Sequence, residues 1–312
     1  MATYVRYKNP EQVRAFLKDI PNRLNGLTYQ QLFDLTNTFL PSIPIPIVDF
    51  TNEQFYFRQR EFGGRNVIYR ARIIVNPNNA PHEYISEISH IPKDKLGKIK
   101  KFGRINKIEE SMFYGSLDYS VACTEAITKG NVFKDTNSVM LTVGVWMFEE
   151  PLKLVQIPYS EKVFKQFYDT VHYKSDTIQL EDIQRYNKED RERFNSDIEF
   201  EVLEMFADEF AKIGTKTNND YFLTNYYADR VFDRVKGHKT EVKADGIIYN
   251  SVASSYQKKN IVLTPEVAET KLKFVDAMQV WLVNQEQNGG GAQFIPIQQR
   301  IKFEEDGKLL WR

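Results

Sequence analysis

The chain has 312 residues and a mass of 36.6 kDa, length for one large domain or two small ones and ample to bury a core without disulfides or metals. Aromatic residues make up 13% of it, which excludes disorder over most of its length. Its 42 basic and 42 acidic residues cancel, which argues against a protein that coats nucleic acid over its whole surface but leaves room for a local basic patch.

The first expected helix starts at Asn9, which can cap, with Pro10 at the first helical position and Gln12 completing the start. Val13, Phe16, Leu17 and Ile20 form its apolar stripe, and Pro21 is expected to stop it. Thr28 and Gln31 form a second capping box, with Leu27 and Leu32 placed as a hydrophobic staple. That helix should end near Pro41. Residues 41–46 alternate proline with isoleucine or serine and cannot be a central strand, so an extended linker or edge is expected there.

A β-rich region follows. Residues 54–62 alternate loosely and Gly63–Gly64 suit a turn. Residues 66–75 make the clearest strand, with Val67, Tyr69, Ala71, Ile73 and Val75 on one side and Arg70 and Arg72 on the other. Two arginines inside an apolar strand are costly unless they meet something negative. Residues 93–107 are the one dense basic run, with seven basic residues and one acid. Residues 118–129 suit a short helix capped by Asp118. Residues 138–148 and 152–157 read as strands, and 160–196 as mixed helix and loop.

Leu203, Phe206, Phe210 and Ile213, and then Leu223, Tyr227, Val231 and Val235, give two core-facing helices with Gly214 and Gly237 as C-caps. Two short strands are expected at 246–251 and 260–264, and a flexible loop at 285–293. A hairpin pairs 301–303 with 309–311 around Asp306–Gly307. No internal repeat is present.

The single cysteine, Cys123, can form neither an internal disulfide nor a Cys-rich metal site. The four histidines, His82, His90, His172 and His238, show no metal-ligand spacing. With no apolar leader and no run of 18 apolar residues, a soluble, cytoplasmic protein that needs no metal and does not enter a membrane is expected.

Several polar residues fall where the pattern says core. Arg70 and Arg72 lie on a strand, and Arg104 follows a glycine that lets backbone approach a ligand. Glu125 sits on a helix among Ala122, Cys123, Ala126 and Ile127, and Ser251 ends an apolar strand. Each has a bland alternative: an arginine paired across a sheet, a carboxylate on a helix surface, a serine at a strand end. Cys123 reads as a small buried residue.

In order, these residues form Tyr69-Arg70-Ala71-Arg72, Gly103-Arg104-Ile105-Asn106 and Phe113-Tyr114-Gly115-Ser116. Then come Glu125, Asp245-Gly246-Ile247-Ile248-Tyr249-Asn250-Ser251 and Asn260-Ile261-Val262-Leu263. Over residues 63–265 the chain resembles the RES domain family, whose name records an Arg, a Glu and a Ser. The resemblance implies an α+β fold with an ADP-ribosyltransferase-like core of packed β-sheets flanked by helices. Residues 1–62 would be an N-terminal helical extension and Pro-rich linker, and 266–312 a C-terminal tail of strands.

It also implies a toxin-like enzyme that consumes NAD as substrate, by hydrolysis or phosphorolysis of the nicotinamide–ribose bond or by transfer of ADP-ribose to a protein. Arg70, Tyr114, Glu125 and Ser251 become the catalytic candidates. Arg70, Arg72, Arg104, Asn106 and Tyr249 become those that bind NAD. Arginines match phosphate oxygens in bidentate fashion, and Lys100 or Lys101 would lie nearby. A carboxylate stabilises the positive charge that develops on the ribose. Tyr114 would pack on the nicotinamide or orient the ribose. The partners implied are NAD and an antitoxin or immunity-type protein, and residues 1–60 could cover the site, mediate a homodimer or dock a partner. The competing class is a non-catalytic module that holds RNA or another phosphate-bearing partner on the basic run.

Overall fold

The computed structural model describes residues 7, 9–51, 67–75, 78, 80–130, 138–168, 178–212, 217–234, 243–252, 254, 258–284 and 292–311. In chain order its elements are α1 (Pro10–Arg23), α2 (Tyr29–Phe39), β1 (Ile47–Phe50), β2 (Val67–Ile73), α3 (Ile85–Ile88), β3 (Phe113–Ser116), α4 (Tyr119–Gly130), β4 (Ser138–Met147) and β5 (Leu152–Gln156). They continue with α5 (Glu161–Tyr168), α6 (Leu180–Arg191), α7 (Asp197–Phe210), α8 (Phe222–Val231), β6 (Gly246–Asn250), β7 (Lys259–Leu263), α9 (Pro265–Lys271), β8 (Lys273–Asn284), β9 (Ala292–Phe303) and β10 (Leu309–Trp311). The protein is of mixed α+β class. Among the described residues, no helix is long and apolar enough to cross a membrane.

Two compact units form, each from three stretches of chain. The first comprises residues 1–49, 97–110 and 153–257; the second comprises 50–96, 111–152 and 258–312. They cut across the linear division into an extension, a central domain and a tail. The N-terminal helices belong to the core of the first unit, where Ile20, Leu32 and Leu40 are fully buried.

In the first unit, α7 and α8 form the apolar centre. Leu203, Phe206 and Phe210 repeat at helical spacing and are buried, as are Leu223, Tyr227 and Val231 on α8. Burying the tyrosines requires partners for their hydroxyls. The Tyr226 hydroxyl lies 2.9 Å from both Asn37 Oδ1 and the Leu40 carbonyl, between which its one proton is shared, and Tyr227 donates to the Pro44 carbonyl at 3.0 Å. The Pro-rich segment is therefore pinned through its carbonyls to α8 and forms no strand until β1 begins. Arg14 of α1 grips Glu201 of α7 with Nε and Nη2 at 2.9 and 3.1 Å.

The expected caps form. Asn9 Oδ1 accepts from Gln12 N, and the Thr28–Gln31 box is complete. Pro21 does not stop α1, which runs on to Arg23. In a last turn, the missing N–H and the ring's clash with the carbonyl four residues back cost less than the packing of Ile20 and Leu24 gains. The glycines expected to cap α7 and α8 lie outside the described residues, as do residues 54–62 with their Gly63–Gly64 turn and most of the 285–293 loop.

The second unit is built on antiparallel strands in the order β7-β3-β2-β4-β8-β9-β10. Helix α4 covers one face. Its Ala122, Cys123 and Ile127 pack with Val67 and Tyr69 of β2, Val143 and Val145 of β4, and Val280 and Leu282 of β8. Asp118 caps α4 as expected, its Oδ1 accepting from Ser120 N at 3.0 Å and Val121 N at 3.2 Å. The terminal hairpin is present, with Leu309 opposite Phe303, and Gly307 takes the positive φ of +83° that its turn requires.

Candidate functional site

The residues singled out from the sequence divide between the units. Arg70, Arg72, Tyr114 and Glu125 belong to the second; Arg104, Asn106, Tyr249 and Ser251 belong to the first.

In the second unit, Arg70 and Arg72 alternate with Tyr69 and Ala71 along β2. Tyr69 packs with α4, so both arginines project from the opposite face. Arg70 is buried, at 6% exposure. It stands opposite Gly144 of β4, and register continues its other flank to Gly115 of β3. A Cβ on Gly115 would come within 2.4 Å of Ile68 Cγ2, so only glycine allows β3 this close.

The Arg70 guanidinium lies over the Phe113 ring at 5.2 Å. Its Nη1 donates to the Tyr114 carbonyl, and its Nε to the Ser89 carbonyl at 3.2 Å. Arg72 Nη2 donates to the same Ser89 oxygen at 2.9 Å, while its buried Nε has no hydrogen-bond partner. Two guanidiniums thus converge on one neutral carbonyl. Neither has a carboxylate partner among the described residues. Burial, and then the charge of Arg72, push the Arg70 pKa well down, and burial lowers that of Arg72. A guanidinium does not surrender its proton in a protein, so both side chains stay charged.

Glu125 lies on the other side of the sheet. Its Oε1 accepts from Asn260 Nδ2 at 2.6 Å. Asn260 pairs with Ser116, which pairs with Tyr69, and cross-strand partners share a face, here the α4 face. By the same rule Tyr114, paired with Val262, projects on the side of Glu125. Glu125 and Tyr114 are brought to one face, the arginine pair to the other. Asn260 is 4% exposed, and its Oδ1 is buried without a hydrogen-bond partner. It orients Glu125, and sequence reasoning gave it no role although it heads one of the quoted motifs.

In the first unit, Arg104 serves a helix end. The last carbonyls of α7 have no partner within the helix, and the Arg104 guanidinium supplies one. Nη1 donates to the Phe210 carbonyl and, at 3.4 Å, to that of Glu209, and Nη2 donates to the Lys212 carbonyl at 3.2 Å. The rings of Tyr221 and Tyr249 flank the cation at 5.8 and 5.9 Å. A cation at a helix C-terminus is also favoured by the dipole. Arg104 and Tyr249, expected to bind NAD, stand at this helix end, and Tyr249 also rests against Phe210. Asn106, buried, donates to the Lys107 carbonyl at 2.9 Å within its turn.

Lys107 is likewise engaged, in an ion pair of 2.6 Å with the buried Asp229, which also accepts from Tyr29 OH at 2.6 Å. Two residues of the basic run, Arg104 and Lys107, therefore fasten the chain, while Lys93, Lys95, Lys98, Lys100 and Lys101 are exposed. Ser251 is fully buried at the end of β6. A cavity of about 760 Å³ in this unit, lined by Arg14, Lys18, Lys162, Glu201, Glu204 and Asp208 among others, contains none of the expected residues.

Among the described residues, no cluster of His, Cys, Asp and Glu could hold a metal ion. No protein-family model matches the chain, and no curated protein matches it.

Proposed function

We propose that the chain is an NAD-consuming enzyme of the RES type, breaking the bond between nicotinamide and ribose and passing ADP-ribose to water or phosphate. The observation that carries this reading is the Arg70–Arg72 pair, a buried cation beside a partly buried one, with no carboxylate partner for either among the described residues. Buried charge is paired in native proteins, and guanidinium forks suit phosphate oxygens, so the pair is assigned to the NAD pyrophosphate. Glu125, fixed by Asn260, is assigned to the ribose, where its charge stabilises the oxocarbenium-like transition state. Tyr114 shares that face and is assigned to the nicotinamide or ribose. Ser251 takes a positioning role by the resemblance alone.

Incubating the purified protein with NAD, with and without phosphate, and weighing the products tests this. Nicotinamide with ADP-ribose identifies a hydrolase; nicotinamide with ADP-ribose 1″-phosphate identifies a phosphorylase. NAD left intact under both conditions rejects consumption by water or phosphate.

A specific observation favours a second reading. The arginine pair and Glu125 project from opposite faces, which a non-catalytic phosphate or nucleic-acid binder tolerates and a single active site must bridge around the strand ends. Such a binder shows salt-sensitive affinity, no NAD loss and indifference to Glu125→Gln. A transferase acting on a protein would instead modify an added acceptor and depend on Glu125.

A further inference from the structure

We propose that His82 and His90 complete the anion site of Arg70 and Arg72, so that binding of a phosphate-type oxyanion there is coupled to uptake of a proton by the histidine rings. This deepens the phosphate assignment above and rests on it, but not on NAD turnover.

The geometry gathers four basic side chains on one face of β2 and β4. Thr142 stands opposite Arg72 in the β2–β4 ladder, and its Oγ1 lies 2.9 Å from His82 Nδ1 and accepts from His82 N at 3.2 Å. Nε2 of His82 makes no hydrogen bond among the described residues. His90 follows Ser89, whose carbonyl both guanidiniums share, and its Nδ1 lies 3.3 Å from Ser89 Oγ. Its Nε2 faces Glu269 Oε1 at 3.1 Å. The carboxylates beside these rings are thus few and peripheral: Glu269, 64% exposed, at His90 and the exposed Glu87 at His82. The arginine charges act on both rings, those of Arg70 and Arg72 on His90 and that of Arg72 on His82.

The sign of the coupling follows. Burial first, and the arginine charges as well, lower both histidine pKa values, while Glu269 and Glu87 oppose the shift. Without a ligand both rings are therefore neutral near pH 7. An oxyanion on the arginine pair cancels the charge that repels a proton from the rings, so their pKa values rise on binding. By linkage the anion binds more tightly as pH falls through those values. A rise of one unit on one ring corresponds to about tenfold in affinity.

Sulfate is the probe, because it stays a dianion across the pH range in which histidine titrates. The four histidines can be followed by NMR in the full chain, with His82→Gln and His90→Gln assigning the two signals. In the wild type, saturating sulfate should move both titrations upward, and sulfate should bind about tenfold more tightly at pH 6 than at pH 8. In Arg72→Gln the sulfate-induced movement should vanish. Should that variant fail to fold, the wild-type titrations decide alone. Unchanged titrations with sulfate bound, or equal affinity at the two pH values, would overturn the proposal. The test is separate from the enzymatic one: histidines that respond to sulfate in a protein that leaves NAD intact would reject turnover and keep the site.

Discussion

Arg104 and the Arg70–Arg72 pair look alike in the sequence, each beside apolar residues and each in a short motif. Their surroundings differ. Arg104 meets the carbonyl end of α7, an electronegative partner the fold itself supplies, between two tyrosine rings. The pair on β2 shares the Ser89 carbonyl, with the Tyr114 carbonyl as the one further acceptor for Arg70, leaves the buried Nε of Arg72 unpaired, and suffers mutual repulsion. An arginine whose donors close on the protein's own backbone stabilises the fold. One whose charge meets no carboxylate among the described residues is the one we assign to a ligand.

The largest effect that would sharpen this contrast lies at the Glu125 face. Glu125→Gln keeps size and burial but removes the charge, so NAD turnover should fall at least about 100-fold with the melting temperature moving by less than about 3 °C. Turnover at the wild-type rate would break the assignment.

Next comes Arg104→Ala, which strips the cap from α7 and should lower unfolding free energy by about 2 kcal/mol in urea titrations. An unchanged midpoint would mean that the cap is idle. Arg72→Met should do the reverse. It removes a partly buried charge that has no carboxylate partner among the described residues, so stability should hold or rise by about 1 kcal/mol. A large loss would show that Arg72 is structural after all.

The smallest effect is at Cys123. Burial pushes its thiol up to about 12, so the native protein at pH 8 should not react with a thiol reagent that labels the unfolded chain at once. Rapid labelling would place the α4 face in solvent.

How much of this was legible in the sequence depends on distance along the chain. The caps at Asn9, Thr28 and Asp118, the alternation in β2 and the turn at Gly307 each involve residues within a few positions, and each formed as read. Pro21 was misjudged because packing outweighs its local penalty in a final turn. The role of Arg104 was out of reach, since the carbonyls it caps lie 105 and more residues away. Asn260 was visible only as part of a motif, because its partner Glu125 is 135 residues distant. The alternation of β2 did place both arginines on one side. That Glu125 stands on the other follows only from the pairing of β2, β3 and β7. The two units escaped for the same reason, each being assembled from three separated stretches.

The most direct test of the contrast is equilibrium binding of ADP-ribose to Arg72→Gln and Arg104→Gln beside the wild type. Losing one bidentate contact to phosphate should weaken binding at least about tenfold in Arg72→Gln, while the folded fraction of Arg104→Gln should bind within about twofold of wild type and unfold at lower denaturant. The opposite result, with binding kept in Arg72→Gln and lost in folded Arg104→Gln, would contradict the account.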